Sequence, residues 1–284
     1  MSQNKDNIYD ILHTLHDLKL SFLSSGLAFK KEGDAYCIAR SVGQVDVSSR
    51  QKAESVVDVV KEDVVIREIK KDVSVDIVKD LNEREAKIRG IASKLNSIDE
   101  IKDYLTNEAS FCEIKKLAKN TVVCDGRSDA KIVLIGEAPG EDEDINGIPF
   151  CGRSGRLLNN VLKSIGLDRD VNLYITNTVF WRPPANRKPT DEEITLCRPF
   201  LFRLIELIKP EFLILCGGTA ISCIAGHDGK ISDLHGRVFD AKIGDMSIKA
   251  SAIYHPSYLL RSPSFKKNAW IDMMSISKHI GHLL

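Results

Sequence analysis

The feature that most constrains this 284-residue chain is the alternation in its second half of short apolar runs with amphipathic segments. KIVLIG (131–136), NLYITN (172–177), FLILCG (212–217) and KASAIYH (249–255) are too short for helices and read as buried strands. Between them, Ser154 to Ile165, Thr190 to Ile208 and Thr219 to Ala225 read as helices, and Pro263 to His282 as a further one. This order predicts an α/β fold, a doubly wound, largely parallel four-stranded sheet between helices. In such sheets the ligand site lies in the loops at the carboxyl ends of the strands. Those loops are GEAPGEDED, NTVFWRPPANRKP, CGG and HPSYLLR, and they hold the chemically distinctive residues.

The first part of the chain follows other rules. Ile8, Ile11, Leu12, Leu15, Leu18 and Phe22 share one face of an expected helix over 7–23. From Gln44 to Arg89 there is neither glycine nor proline, and eleven valines between Val45 and Val78 are mixed with charges. Period-two and helix-like spacings compete there, so strand, helix and disorder stay open and the stretch reads as a variable linker. Two helical pieces are expected between Glu83 and Asn107, the second opened by Ser97 with Glu100 three residues later. We divide the chain into an accessory region, 1–105, and an α/β domain, 106–284.

Composition narrows the class. Forty basic residues balance forty acidic ones, so no global field favours nucleic acid, although a local basic face stays open. The longest apolar runs, such as Phe212 to Cys216, fall far short of the ~20 residues of a membrane span, and no apolar stretch follows MSQNKDN. A cytoplasmic, monomeric protein with no membrane partner is expected. Seven cysteines, an odd number without a secretory signal, argue for reduced thiols or metal ligands.

In GEAPGEDEDINGIPFCGRSGR, Gly136, Gly140, Gly147, Gly152 and Gly155 let backbone approach a ligand, and Ser154 is placed to open a helix towards an anion. Glu137, Glu141, Asp142, Glu143 and Asp144 would repel a nucleoside triphosphate, and neither the P-loop ending nor the dinucleotide fingerprint is present. Alone, the loop is equally a glycine-rich turn with a solvated acidic face. The loops together say more. GEAPGEDED with GIPFCGRSG, YITN with RPPANRKPT, and then HPSYLLR closely resemble the type-4 uracil-DNA glycosylases, from about Cys112 to Trp270.

The resemblance implies a uracil-DNA glycosylase-like fold and a DNA-repair hydrolase that flips uracil out of uracil-containing DNA and cleaves its N-glycosidic bond. Phe150 matches the aromatic that stacks on uracil, and Gly136 joins the base-binding set. Asn177 matches the amide that offers a donor to O4 and an acceptor to N3–H, a pattern that cytosine reverses. His255 matches the donor to uracil O2, where charge collects on the departing base. Glu137 and Glu143 match carboxylates near the pocket. One would orient water or stabilise the cationic sugar; the other would close the pocket towards the methyl of thymine. Ser257, Leu259, Leu260 and Arg261 match an intercalation loop, with Leu259 or Leu260 filling the gap in the stack and Arg261 neutralising a phosphate. Arg182, Arg187 and Lys188 are further candidates for phosphate contacts. Taken singly, each residue also has a plain structural reading: a core Phe, a turn Asn, a structural His, a solvated Arg.

The chain departs from the family at one place. Type-4 relatives hold a [4Fe–4S] cluster on four cysteines; Cys112 and Cys197 match two of them, while Lys115 and Trp181 replace the others. A cubane cluster takes four thiolates, so no cofactor is expected, with a 4Fe–4S cluster as in the family the alternative. Cys124, twelve residues beyond Cys112, adds at most a third ligand. Cys151, Cys216 and Cys223 read as inert, packed thiols. Ala138 stands where relatives of other glycosylase classes carry Asp, which implies modest water activation, and Gly140 lacks the bulk an aromatic would put near uracil C5. Two rivals therefore stand beside uracil excision: a silent DNA-binding module, and a glycosylase with broader base tolerance. Residues 1–105 would meet a repair or replication partner.

Overall fold

The computed structural model describes residues 27–32, 35–40, 79–226 and 231–284. The helix expected over 7–23 and the linker over 45–78 lie outside the described residues. The chain divides into two compact units, Met1–Arg67 and Glu68–Leu284. In the first, the described segments are β1 (Leu27–Glu32) and β2 (Ala35–Arg40), an antiparallel pair that the sequence reading did not anticipate.

The second unit is built on six strands: β3 (Cys124–Gly126), β4 (Ile132–Gly136), β5 (Leu173–Asn177), β6 (Phe212–Cys216), β7 (Val238–Ile243) and β8 (Met246–Ile253). Their order is β3-β5-β4-β6-β8-β7. The four strands read from the sequence form the parallel centre. The expected count of four is corrected to six by two antiparallel edges, β3 and β7. CDG is too short to show a period, and VFDAKI is half exposed, so neither presents the continuous apolar run of a central strand. By contrast β4, β5 and β6 are buried at every position, since apolar layers cover both faces. From β4 the chain steps to β5 on one side and returns to β6 on the other, so the topological switch lies between β4 and β6.

The helices are α1 (79–92), α2 (Ile98–Asp103), α3 (Glu141–Asn146), α4 (Arg153–Lys163), α5 (Asp191–Ile208), α6 (Gly218–Ala225), α7 (Ile231–Leu234), α8 (Pro256–Arg261) and α9 (Lys266–Ile280). Ser97 caps α2 by accepting from the Glu100 N–H at 3.1 Å. Thr190 and Glu193 cap α5 reciprocally. The acids of GEDED are the first turn of α3, where the positive end of the helix favours them; Glu141 and Asp142 are exposed and Asp144 is buried. Helix α4 is capped by Gly152 and not by Ser154. The segment 79–105 packs on the sheet unit: Arg84 pairs with Glu192 at 2.6 Å, Arg198 with Glu85 at 2.9 Å, and Arg203 Nε donates to the Leu95 carbonyl at 2.9 Å. The boundary drawn at 105/106 thus falls inside one compact unit. Among the described residues, no helix is long and apolar enough to cross a membrane.

Candidate active site

Strands β4 and β5 end side by side, with Gly136 opposite Asn177 in the parallel ladder. A Cβ on Gly136 would stand 2.3 Å from Asn177 Oδ1 and 2.5 Å from Phe150 Cζ. Only glycine lets the amide and the ring meet over the strand end. Asn177 is 1% exposed, and its Oδ1 has no hydrogen-bond partner among the described residues. A buried acceptor left in that state costs roughly 1–3 kcal/mol, which a bound N–H donor would relieve. Phe150, 6% exposed, adopts a left-handed backbone conformation with φ of 52°. Its ring centroid lies 5.8 Å from that of His255, tilted by 36°.

His255 follows β8 and caps α8. Its Nδ1 lies 2.8 Å from Ser257 Oγ and accepts from the Ser257 N–H at 3.3 Å. Acceptance at Nδ1 places the ring proton of the neutral imidazole on Nε2, as a donor. Burial holds the imidazole below its ordinary value; Glu137 and Glu143 pull it up and Arg261 pushes it further down. The neutral form prevails at physiological pH.

The two glutamates differ in what they face. Glu137, the first residue after β4, accepts from the Thr219 hydroxyl at the start of α6, which ties the two sides of the switch together. Its carbonyl accepts from the Thr178 hydroxyl and from the Val179 N–H at 3.2 Å. Glu143 uses both oxygens on backbone, accepting from Gly140 N–H at 3.1 Å and Gly152 N–H at 3.0 Å. It staples the two glycine loops together and belongs to the pocket's frame, whereas Glu137 keeps Oε1 without a hydrogen bond among the described residues. Thr219 was missed in the sequence. Its signal was a hydroxyl directly after CGG, at the carboxyl end of a strand.

Towards the expected DNA face, Leu259 is 4% exposed and packed inside, so of the two leucines only Leu260, half-buried, is placed to enter a base stack. Arg261 is exposed, and the Ser257 hydroxyl is turned to His255. Arg187 does not join the pocket: Glu193 holds it at 2.6 and 2.9 Å. Arg182 reaches Asn186 Oδ1 at 2.7 Å, and Lys188 is exposed.

The four positions of the family cluster also come together. Cys112 and Cys197 are neighbours: Cys197 lowers the Cys112 thiol, while burial pushes Cys197 well up. Trp181, 1% exposed, donates from Nε1 to Thr121 Oγ1 at 3.0 Å and meets the rings of Phe111 at 5.7 Å and Phe180 at 6.1 Å. The ammonium of Lys115 sits 6.0 Å from its centroid. Two thiols, an indole and an ammonium do not match the demand of a cubane cluster for four thiolates. Among the described residues, no group of three or more His, Cys, Asp or Glu is placed to hold a metal ion. Burial raises Cys151 and Cys216 and pushes Cys223 up to about 12, so these thiols stay protonated.

The sequence profile of the uracil DNA glycosylase superfamily matches residues 124–274. A type-4 uracil-DNA glycosylase of Archaeoglobus fulgidus is 38% identical over 174 residues, 60% of this chain and 87% of that protein. One from Thermotoga maritima is 40% identical over 168 residues, 58% of this chain and 84% of its own. Another, from Sulfurisphaera tokodaii, is 35% identical over 178 residues, covering 61% and 80%. The superfamily match spans every pocket residue from Gly136 to His255.

Proposed function

This chain belongs to the uracil DNA glycosylase superfamily, and on that premise we propose how its strand-end pocket works. The protein is a DNA-repair hydrolase: it binds DNA and removes uracil by hydrolysing the N-glycosidic bond, leaving an abasic site. The observation that carries the assignment of the pocket is the unpartnered Oδ1 of buried Asn177 beside the Phe150 ring. An orphan acceptor there calls for a donor such as uracil N3–H, while the Nδ2 of the same amide donates to O4.

In this reading the flipped base stacks on Phe150, and His255 Nε2–H donates to O2. As the bond from C1′ to N1 lengthens, electrons pass to the base and negative charge gathers at O2, where one well-placed donor is worth on the order of 3 kcal/mol. Glu137, held by Thr219, sets its free oxygen against the developing sugar cation and the incoming water. Water closes on C1′ and gives up a proton, and the uracil anion is protonated after release. Leu260 fills the vacated stack and Arg261 answers a phosphate.

We further propose that the chain holds no iron–sulfur cluster, because an indole and an ammonium occupy two ligand positions and pack against each other. Anaerobically purified protein is then expected to have near-zero iron and no broad ~400 nm absorption; four irons per chain would overturn this. A cytoplasmic, monomeric enzyme belongs to the same proposal; the free thiols of Cys112, Cys124, Cys151, Cys197, Cys216 and Cys223 support a reducing compartment.

The test of the pocket is single-turnover cleavage of a labelled oligonucleotide carrying one uracil, with thymine and hypoxanthine controls, by the wild type and an Asn177→Ala, His255→Ala double variant. Uracil-selective abasic sites that vanish in the variant are expected. Tight binding without cleavage by the wild type would favour a silent binding module, and comparable hypoxanthine release a broader specificity.

A further inference from the structure

We infer that Arg169 is a positioning residue for base excision, acting through Phe150. The inference rests on the reading of Phe150 as the base platform. A left-handed backbone at a residue other than glycine is strained and persists only where its surroundings hold it. The hydrogen bonds that hold Phe150 come from one guanidinium. Arg169 Nη1 donates to the Pro149 carbonyl at 3.0 Å and to Asp125 Oδ2 at 2.7 Å. Its Nη2 donates to the Phe150 carbonyl at 3.0 Å and to Asn159 Oδ1 at 2.9 Å.

Two of these acceptors are fixed points of the fold, Asp125 on edge strand β3 and Asn159 on α4. The other two are the carbonyls on either side of the Phe150 N–Cα bond. The Arg169 side chain is 14% exposed, so water competes poorly for these bonds. A Cβ at Gly155 would come within 1.8 Å of Phe150 O, so helix α4 is also packed close against this carbonyl. The peptide before and after Phe150 is therefore pinned, and the ring has one place to go: over Gly136, against the Asn177 amide. Nothing in this arrangement brings Arg169 to the base itself. It sets where the platform stands.

A planar fork is needed to serve four acceptors on two sides, and a lysine ammonium is a single point with a flexible stem. Arg169→Gln is expected to lower the single-turnover excision rate constant on the order of 30- to 100-fold, since misplacement by about 1 Å can cost 10²-fold. Arg169→Lys, which keeps the pairing with Asp125, is expected to lose about tenfold. Affinity for uracil-containing DNA should stay within about threefold in both. The same two substitutions are then made in a Phe150→Leu background. There, with the platform already altered, each should cost less than about threefold.

Reaction amplitude separates positioning from folding, because a misfolded fraction lowers the amplitude and leaves the rate constant of the rest intact. Loss of amplitude alone, or equal loss of rate with Phe150 and with Leu at that position, would overturn the inference while leaving the excision reading in place. A wild type that excises no uracil would overturn that reading and this inference with it.

Discussion

The strand-end pocket and the cysteine corner both occupy motif positions of one family, yet their polar groups are balanced in opposite ways. In the corner, Trp181 gives its N–H to Thr121, its ring meets Phe111 and Phe180, and Cys112 and Cys197 are buried beside it. The buried indole, the largest polar-bearing side chain of the corner, finds its partner inside the chain. In the pocket, Asn177 Oδ1 is buried without a donor and Phe150 is held in a left-handed conformation. A region answered internally contributes stability, whereas an orphan acceptor and a strained platform are retained for something that binds. Stability and activity should therefore respond to substitution in opposite senses at the two places.

The largest effect is expected at Asn177. Asn177→Ala should lower the excision rate constant on the order of 10³-fold, read by single-turnover cleavage, because both edge contacts to the base disappear. Its melting temperature should hold or rise, since the substitution also removes an unpaired buried carbonyl. A protein that loses its activity only through unfolding would erase the contrast.

Trp181→Ala tests the other side. Deleting a fully buried indole should cost about 3 kcal/mol or more in urea unfolding, while the rate constant of the folded fraction stays within about threefold of wild type. A hundredfold slower reaction in fully folded Trp181→Ala would mean that the corner takes part in catalysis, and the two regions would have to be read as one site.

The third effect is a pH dependence. Burial sets the folded His255 below its unfolded value of 6.5, so the pocket holds the neutral ring. As pH falls from 6.5 through the lower folded value, the unfolded chain takes up the proton more readily, and this contribution to stability is lost there; above 6.5 it is fully present. Protonation also removes the Nδ1 acceptor for Ser257. The acid limb of kcat/KM should accordingly lie below pH 6.5, with an overall loss of about tenfold per unit once past it. Glu137 raises the imidazole value, so Glu137→Gln should slow excision and move the limb lower still. A limb that moves up instead would show that His255 is not the titrating group.

How far the sequence could be read follows from the same contrast. The central strands were legible because burial on both faces makes them unbroken apolar runs, and the longer helices because their apolar residues recur at helical spacing; the short helices α3, α7 and α8 were not. Edge strands β3 and β7 were not, one being three residues long and the other half exposed. Phe150, Asn177 and His255 were legible through local motifs, each at or just after a glycine loop or strand end. The side chains that hold them were not. Arg169 sits in GLDRD, a stretch with no pattern of its own, and its role depends on Asp125, 44 residues away. Thr219 and Glu137 are 82 residues apart. Glu143 and Leu259 show the converse: their motif positions suggested contact with the base and the stack, but backbone N–H groups and the core claim them. Motif spacing records which residue types a site uses, and tertiary contacts decide which atoms remain free.

The smallest expected effect is at Lys115, where two influences oppose each other. The face of Trp181 attracts the ammonium 6.0 Å away, worth about 0.5–1 kcal/mol at a partly exposed site. Partial burial works against the charge and lowers the lysine's pKa. Lys115→Met keeps the unbranched stem and replaces the ammonium by a thioether, which has its own favourable contact with an aromatic ring of about 0.3–1.5 kcal/mol. The gain and the loss nearly cancel, so unfolding free energy should change by less than about 0.5 kcal/mol, with excision and iron content unaltered. A loss well above 1 kcal/mol would mean that the charge itself fixes the indole, and that the corner depends on one polar contact in the way the pocket depends on Asn177. An unchanged protein would instead show that Trp181 fills the corner by volume and by its bond to Thr121, with Lys115 a tolerant neighbour.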